Sequence, residues 1–330
     1  TPNPEPRTLV YCILFRPLGC ALWITARLQH KAKVPIRPEI VGIQRNGLLG
    51  RLLSADPSEV AVTTGASGGL LGIASAIDWK PDDEVMLARG EFPAHLATWS
   101  PLATRGRIKL TTIEPAGRFL CADDFLRRIS RQTRLVSASL VRFDNAARMD
   151  AAELSVACRD VGAYLLFDVS QCAGAMPLDA RGLGADFLVC AGYKWLLSPY
   201  GTGFFWVRGE LADQLPSGPL YWMALEGAQE FPSLPLSEIR PARAGRRWDA
   251  PETASFFNLA AMEASLQFLL RVGVESVWNH NLSLVRQLAE RLPRDRCLLA
   301  SPVEDDARGP FVCFAARSPE KTRALFEALK

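Results

Sequence analysis

The sequence is poor in histidine and has no strong excess of either charge. Only three of its 330 residues are histidines, His30, His95 and His280, and they lie far apart, without the spacing of metal ligands. The formal net charge is +3, and the two signs are interspersed, so no basic stripe suggests nucleic acid or an acidic membrane surface. We therefore expect no metal site, no nucleic-acid partner and no membrane partner.

Disulfide frameworks and long apolar runs are also missing. The eight cysteines form no C-x-x-C pair, and several lie within apolar runs, which favours reduced, mostly buried thiols in a cytoplasmic protein. The apolar stretch 8–30 is interrupted by Arg16 and Pro17, is too short to span a bilayer and precedes no small-residue cleavage site. We interpret residues 1–35 as a buried N-terminal arm, with a weak membrane contact as the alternative.

Strand-like and helix-like segments alternate from residue 36 onward. Apolar runs typical of strands begin near residues 60, 84, 109, 134, 164 and 187, and segments of helical spacing separate most of them. This alternation predicts an α/β fold, with a three-layer, mainly parallel sheet covered by helices on both faces. The run 201–208 follows its predecessor too closely for a helical crossover and is predicted to be antiparallel. We expect a large domain over 36–240 and a smaller α+β C-terminal domain over 241–330.

Two predicted strands end in side chains that suit one type of cofactor chemistry. Asp168 ends LLFD, and Lys194 follows FLVCAG by two positions, so both belong at the C-terminal edge of a parallel sheet. A buried amine can form a Schiff base, while a carboxylate can keep a pyridine nitrogen protonated, as pyridoxal phosphate chemistry requires. The alternatives are a solvated loop lysine and a helix-capping aspartate. Apolar flanks around Lys194 disfavour the first, and the pairing of both residues disfavours the second.

The surrounding segment resembles a known family. Its pattern is matched by Asp168, Gln171, Asp179, Asp186-Phe187, Lys194-Trp195-Leu196 and Gly201-Thr202-Gly203. On these residues the chain resembles fold-type I pyridoxal phosphate enzymes of the class V aminotransferase superfamily, which includes cysteine desulfurases, kynureninases and isopenicillin N epimerase-like proteins. The resemblance covers roughly residues 36–330. It implies the pyridoxal phosphate-dependent transferase fold for the large domain, and a homodimer that completes each active site.

The resemblance also implies roles for individual residues. Lys194 would carry the Schiff base and then move protons at the substrate's α carbon, and Asp168 would pair with the pyridine nitrogen. Gln171 would hydrogen-bond the phenolic oxygen of pyridoxal 5'-phosphate. Phe92 would stack on the cofactor ring, although a strand-end phenylalanine can equally be a core residue. Tyr193 would donate its hydroxyl to the phosphate.

A glycine-rich turn follows the first predicted strand. TTGASGG (63–69) lacks the ending of a Walker A loop and a clean G-x-G-x-x-G, so alone it is a weak indication of phosphate binding. Small residues before a helix nevertheless let backbone N–H groups approach an anion. The resemblance assigns the phosphate cup to Gly65, Ala66 and Ser67.

Three departures from the family pattern bear on activity. Cys297 and Cys313 lie in strand-like runs and are expected to be packing residues, which disfavours a persulfide-forming desulfurase. The chain ends at Lys330, before the arginine that clamps the substrate carboxylate in relatives, so the small domain looks shortened. Leu140 takes the place of a polar residue, and a family glycine becomes Ala146 or Ala147. The first candidates to bind the substrate carboxylate in its place are Arg246 and Arg247, and Arg142 and Arg243 are further candidates.

These observations favour a pyridoxal phosphate-dependent enzyme that acts at the α carbon of an amino acid. Amino transfer or C–S lyase-type elimination is expected ahead of epimerisation. The alternative is a catalytically degenerate protein that keeps the fold as a dimerising or regulatory subunit. A Rossmann-type oxidoreductase is disfavoured because no acidic residue follows a true G-x-G-x-x-G at the required distance.

Overall fold

The computed structural model describes residues 38–216, 218–228, 239–250 and 256–329. The predicted arm over residues 1–35 lies outside the described residues. Its burial therefore stays a prediction.

The described residues follow the alternation that the sequence predicts. The strands are β1 (Val60–Thr63), β2 (Glu84–Ala88), β3 (Lys109–Ile113), β4 (Thr133–Ser139), β5 (Tyr164–Asp168), β6 (Phe187–Ala191), β7 (Gly203–Val207), β8 (Cys297–Leu299) and β9 (Phe314–Ala316). The α-helices are α1 (Pro38–Leu53), α2 (Ala66–Ala76), α3 (Pro93–Thr104), α4 (Ala122–Leu126), α5 (Ala151–Val161), α6 (Gly209–Ala212), α7 (Phe256–Val272), α8 (Val274–Arg291) and α9 (Pro319–Leu329). Short 3-10 helices cover Pro57–Glu59, Trp222–Ala224 and Ala244–Trp248.

Seven strands form one sheet in the order β1-β7-β6-β5-β4-β2-β3. Neighbours from β6 to β3 are parallel, whereas β7 is antiparallel to both β1 and β6. Every residue of β1, β6 and β7 is buried, as expected for strands covered by helices on both faces. The predicted α/β class, the mainly parallel sheet and the antiparallel β7 are confirmed.

Helix α2 packs closely on the sheet because Gly69 has no side chain. A Cβ atom at Gly69 would lie 2.5 Å from Val189 Cγ1 and 3.3 Å from Phe205 Cβ. The helix therefore sits directly on β6 and β7, with its N-terminus at the edge of the sheet where β6 ends. Leu70 and Ile73 on the same helix are buried in this layer of the core.

A smaller antiparallel sheet is formed by β8 and β9. It has its own apolar cluster, made by Val285, Ala289, Leu292, Leu299, Val312 and Phe314. By contrast, Leu259, Met262 and Leu266 of α7 belong to the core beneath the large sheet. The α+β character of the C-terminal region agrees with the prediction, and the proposed boundary between 240 and 241 stays a prediction.

The cysteines in the described part of the chain are all free thiols, and most are buried. Burial raises the pKa of Cys158 to about 12 and raises the pKa of Cys190 well above its ordinary value. Cys313 is buried and Cys297 is half-buried in β8, as expected for packing residues. In the described part of the chain we find no helix long and apolar enough to cross a bilayer, and no group of side chains suited to hold a metal ion.

Candidate active site

The C-terminal edge of the parallel strands gathers the predicted site. Asp168 is the last residue of β5 and lies in register with Ser139 of β4 and Val189 of β6. Lys194 follows the end of β6 at Ala191 by three positions. Because both segments leave the sheet at the same edge, residues 26 positions apart in sequence become neighbours.

The amine of Lys194 lies against an aromatic face. Its Nζ is 5.1 Å from the centroid of the Phe92 ring, within the range of a cation–π contact. Phe92 immediately precedes α3 and meets Phe143 edge to face, with ring centroids 5.5 Å apart and an interplanar angle of 87°. Lys194 is half-buried. The lysine is thus not a solvated loop residue, and Phe92 belongs to the site as well as to the apolar packing around it.

Asp168 is a buried carboxylate with two directed interactions. Its Oδ1 accepts from the backbone N–H of Ser170 at 2.7 Å, and its Oδ2 lies 3.6 Å from Nε2 of the buried His95. Burial favours the neutral acid, but the interaction with His95 and the charge of Lys194 hold the pKa of Asp168 below its ordinary value. The side chain is therefore ionised at neutral pH. Its remaining lone pairs can accept from a protonated ring nitrogen.

Glu91 fixes the loop that carries Phe92. Its carboxylate accepts from the Phe92 backbone N–H at 2.9 Å, from the Ser139 N–H at 3.0 Å and from the Ser139 hydroxyl at 2.5 Å. These bonds tie the start of α3 to the end of β4. Phe92 and His95 are consequently held at defined positions beside Asp168.

The turn between β1 and α2 forms an open helix N-terminus. Gly65 is the N-cap of α2, with φ +149° and ψ −177°, a conformation that is essentially restricted to glycine. A glycine N-cap offers no side chain to the first N–H groups of the helix, and Ser67 is exposed beside them. Backbone N–H groups at such a terminus bind a phosphate well. Gly65, Ala66 and Ser67 are therefore suited to the predicted phosphate cup.

The G-x-G motif packs against this cup. A Cβ atom at Gly203 would lie 2.2 Å from the Cys190 carbonyl oxygen and 2.7 Å from Gly65 Cα. Gly192 donates its N–H to the Thr202 carbonyl at 2.8 Å, and Ser198 donates to the Gly192 carbonyl at 3.0 Å. The motif thus closes the loop that bears Lys194 onto the start of β7 and places that loop next to the phosphate cup.

Tyr193 and Gln171 complete the predicted cofactor set. The Tyr193 ring lies 5.0 Å from the Tyr200 ring, centroid to centroid. Burial and the neighbouring Tyr200 and Asp168 raise the pKa of Tyr193, so its hydroxyl is a donor at neutral pH. Gln171 is half-buried in the turn after β5, three residues beyond Asp168. Both stand at the edge of the sheet where a cofactor would be held.

The candidate substrate-binding arginines lie apart from this group. Arg247 donates from Nη1 to the carbonyls of Ala212, at the end of α6, and of Leu215, just beyond it, at 2.8 Å and 3.0 Å. Arg246 is half-buried in the same 3-10 helix. Arg142 is 4% exposed and is held by Asp144 and by the carbonyls of Arg89 and Gly90, so its guanidinium stabilises the loop before α3.

In the segment after β4, Leu140 does not adjoin the candidate site. Leu140 is buried in the core beneath the sheet, and Phe143 is the residue that reaches Phe92. Ala146 has φ +59°, a left-handed conformation that favours glycine. An aromatic residue rather than a polar one therefore adjoins the Phe92 side of the site.

The sequence of the chain matches the family Aminotransferase class-V over residues 46–325. The chain belongs to this family. Class-V aminotransferases are pyridoxal 5'-phosphate-dependent enzymes, and the residues gathered here lie within the matched span.

Curated relatives of the chain include one archaeal and one bacterial protein. A probable cysteine desulfurase from Methanothermobacter thermautotrophicus is 24% identical over 72% of this chain and 57% of its own length. Isopenicillin N epimerase from Streptomyces clavuligerus is 24% identical over 86% of this chain and 73% of its own length. The chain spans between 57% and 62% of the length of several curated relatives.

A solved structure shows the same fold. It is that of a C-DES variant with glycine covalently linked to the pyridoxal phosphate cofactor. The TM-score is 0.78 at 21% identity, and the alignment covers 95% of this chain and 83% of the other. The mainly parallel seven-stranded sheet of a class-V aminotransferase is thereby confirmed.

The donor set of this class-V aminotransferase fits pyridoxal 5'-phosphate. A buried, ionised carboxylate suits a ring nitrogen that carries a proton, and the Phe92 face suits a flat aromatic ring. The uncapped N-terminus of α2 suits the phosphate, and the amine of Lys194 lies beside all three.

Two residues of the site, His95 and Glu91, are not indicated by the sequence pattern. His95 is fully buried beside Asp168, although its isolated position in the sequence indicates only that it is no metal ligand. Glu91 anchors Phe92, but a glutamate after a strand is usually solvated. The spacing of Phe92 and His95, three residues apart at the start of a helix, is the one signal that places both on the same face of α3.

Proposed function

We propose that this class-V aminotransferase acts at the α carbon of an amino acid, by amino transfer or by C–S lyase-type elimination. The observation that carries the proposal is the position of Lys194, whose amine lies on the Phe92 face at the strand edge that also presents Asp168. A desulfurase and a cystine C–S lyase are among the structural neighbours. Their reactions share the requirement for proton transfer at the α carbon.

In this proposal most of the site residues hold the cofactor, and Lys194 transfers protons. When bound, pyridoxal 5'-phosphate supplies an electron-accepting ring that stabilises negative charge at the α carbon. Asp168 holds the ring nitrogen in its protonated form, and Phe92 covers one face of the ring. The N–H groups at Gly65, Ala66 and Ser67 bind the phosphate. Gln171 and Tyr193 donate to the phenolic oxygen and the phosphate, respectively.

Lys194 has two tasks in this proposal. Its amine attaches the cofactor, and once a substrate amino group replaces it, the same amine takes or returns the proton at the α carbon. Its loop is fixed by the Gly192–Thr202 and Ser198–Gly192 backbone bonds, which keep the amine within reach of that carbon. Neither Arg246 nor Arg247 lies beside Lys194 within one chain, and the guanidinium of Arg247 is engaged with the Ala212 and Leu215 carbonyls, so Arg246 stays the candidate of the two for the substrate carboxylate.

Incubation of the loaded enzyme with single amino acids in deuterated water tests this function. We expect proton NMR to show exchange of the α proton for at least one amino acid. With that substrate, a 2-oxo acid together with an aminated acceptor would identify amino transfer. Pyruvate and a sulfur product from cysteine or cystine would identify elimination. Absence of exchange with every common amino acid would contradict the proposed function.

We further propose a cytoplasmic homodimer that uses the face around the lysine loop. Tyr200 is 80% exposed and Phe257 is 76% exposed, and Asn258 donates to the Tyr200 carbonyl at 3.2 Å, so the two exposed aromatics lie on segments that contact each other. Large exposed aromatics are typical of interfaces. Trp248 is not part of this surface, because its ring packs against Phe205 with centroids 5.4 Å apart.

Sedimentation velocity of the loaded protein tests the dimer. We expect a dimer for the unmodified chain and a monomer for a Tyr200→Asp, Phe257→Asp double variant, because two charges would be buried without partners. A Leu298→Asp variant is the control, since Leu298 is 46% exposed on the smaller sheet and should not affect assembly. A monomeric unmodified protein that binds pyridoxal phosphate stoichiometrically would contradict the proposal.

A further inference from the structure

His95 forms a fully buried polar chain with Asp168. The ring is 0% exposed, its Nε2 lies 3.6 Å from Asp168 Oδ2, and its Nδ1 lies 2.8 Å from the Ser137 hydroxyl. Trp99 Nε1 donates to the same hydroxyl at 3.1 Å. Three side chains from α3 and β4 are therefore aligned behind the Asp168 carboxylate that faces the proposed cofactor.

The chain of contacts determines which ring nitrogen carries a proton. The Trp99 N–H can only donate, so the Ser137 oxygen accepts from it. The Ser137 hydroxyl can then donate to His95 Nδ1, or accept from Nδ1 with its second lone pair. In either arrangement an unprotonated Nε2 would direct a lone pair at a carboxylate, which is repulsive. The proton is thus on Nε2, pointing at Asp168.

We propose that His95 is a positioning residue, whose Nε2 proton keeps the Asp168 carboxylate ionised and oriented toward the ring nitrogen of pyridoxal 5'-phosphate. Ser137 and Trp99 hold the imidazole in that orientation. The separation of 3.6 Å exceeds a direct hydrogen bond, and such contacts commonly tighten when a site is occupied. The cofactor part of this inference rests on the proposed function, whereas the coupling between His95 and Asp168 does not.

The surrounding charges support a protonated imidazole. Burial favours the neutral ring, but the interaction with Asp168 and the charge of Glu91 raise the pKa of His95 above its ordinary value. The titratable groups that interact with the pair are Glu91 on the His95 side, and Lys194, Tyr193, Cys172 and Cys190 on the Asp168 side. Burial raises the pKa of both thiols, so they are neutral wherever the pair is charged.

The two pKa shifts determine how the stability of the fold depends on pH. Because the pKa of His95 is raised on folding, its contribution to stability is complete below about pH 6.5 and is lost as pH rises through the raised value. Because the pKa of Asp168 is lowered, its contribution is complete above about pH 3.9 and is lost as pH falls through the lowered value. The pair therefore stabilises the fold most between these limits.

The first arm of the test uses the protein without cofactor. Imidazole nitrogens are labelled with ¹⁵N and titrated by NMR, and the His95 signals are assigned by their loss in a His95→Gln variant. We expect His95 to remain protonated above the ordinary pH range of histidine, and an Asp168→Asn substitution to lower its titration midpoint. A midpoint at or below the ordinary value in the unmodified protein would overturn the coupling, whatever the protein does with pyridoxal phosphate.

The second arm measures pyridoxal phosphate binding by fluorescence titration. Glutamine can keep a donor near the Nε2 position without charge, whereas asparagine cannot reach it. We expect His95→Gln to weaken binding less than His95→Asn, and the latter by about 10- to 100-fold, the size of a lost charge-assisted hydrogen bond. In an Asp168→Asn background the same His95→Asn change should have less than about a twofold effect. His280→Asn, on α8, is the control and should bind normally.

The two arms separate the possible failures. A packing role would make His95→Asn equally harmful with and without the Asp168 carboxylate, and this result would overturn the inference. If the unmodified protein bound no pyridoxal phosphate, the proposed function and the cofactor part of the inference would both fail. The NMR titration would then still decide whether His95 and Asp168 are coupled.

Discussion

Replacement of Lys194 by alanine is expected to lower the rate of α-proton exchange by about 10²–10⁴-fold, the usual contribution of one proton-transferring side chain. In the proposed mechanism this amine both attaches the cofactor and reaches the α carbon. Loss of the side chain removes both tasks but leaves the phosphate cup and Asp168 in place. Exchange rates measured by NMR at saturating pyridoxal phosphate give the comparison directly.

Two further lysine variants make that result specific. Lys194→Arg keeps a positive charge near Phe92 and Asp168, but a guanidinium is not nucleophilic in proteins, so we expect the same loss. Lys109→Ala is the control, because Lys109 is 59% exposed in a surface ion pair with Asp82 and should not affect exchange. Unchanged exchange in Lys194→Ala would show that another residue moves the proton.

Substitution of Gly203 by alanine is expected to damage both stability and turnover. The new Cβ would lie 2.2 Å from the Cys190 carbonyl oxygen and 2.7 Å from Gly65 Cα, so backbone has to move at the junction of the lysine loop and the phosphate cup. Overpacking of this kind costs about 1–3 kcal/mol of the free energy of unfolding. A shift of about 1 Å between cofactor and lysine would lower turnover by about 10²-fold. Urea denaturation and exchange rates measure the two effects.

Gly47→Ala is the matched control for that prediction. Gly47 lies within α1, and a Cβ there would meet nothing within 4 Å. Alanine should therefore stabilise the protein by about 0.5–1 kcal/mol through its higher helix propensity. If Gly203→Ala were as harmless as Gly47→Ala, the packing of the G-x-G motif against the cup would not matter for the site.

The main features of the site were predictable because they follow from sheet architecture. Asp168 and Lys194 each come directly after a short apolar run, and the ends of parallel strands meet at one edge whatever the details of packing. The turn at Gly65 was predictable for a similar reason, since it separates a strand from a helix, whereas its assignment to a phosphate cup came from the resemblance to the family. The positions of such turns need only the order of elements, which alternating apolar segments reveal well.

Other features depend on contacts between distant segments and so left no pattern in the sequence. His95 becomes important because α3 brings it next to Asp168, 73 positions later in the chain. Phe143 meets Phe92 across the loops that follow β4 and β2, whereas Leu140 is buried in the core. The tertiary geometry, not local composition, selects these residues.

The arginines show a further limit of sequence reasoning. Arg246 and Arg247 are adjacent and chemically identical, yet Arg247 donates to two carbonyls at and beyond the end of α6. Arg142 looked available for a substrate carboxylate, but Asp144 holds it with bonds of 2.8–2.9 Å. A sequence shows how many guanidinium groups are present, whereas hydrogen-bond geometry shows which of them another group already engages.

The proposed function depends on attachment of pyridoxal 5'-phosphate to Lys194 beside Asp168. The most direct measurement is borohydride reduction of the protein with pyridoxal phosphate, followed by peptide mass spectrometry. We expect a single pyridoxyl group on Lys194, with a visible absorbance band before reduction that the Lys194→Ala variant lacks. Labelling spread over surface lysines such as Lys109, with no band, would contradict it.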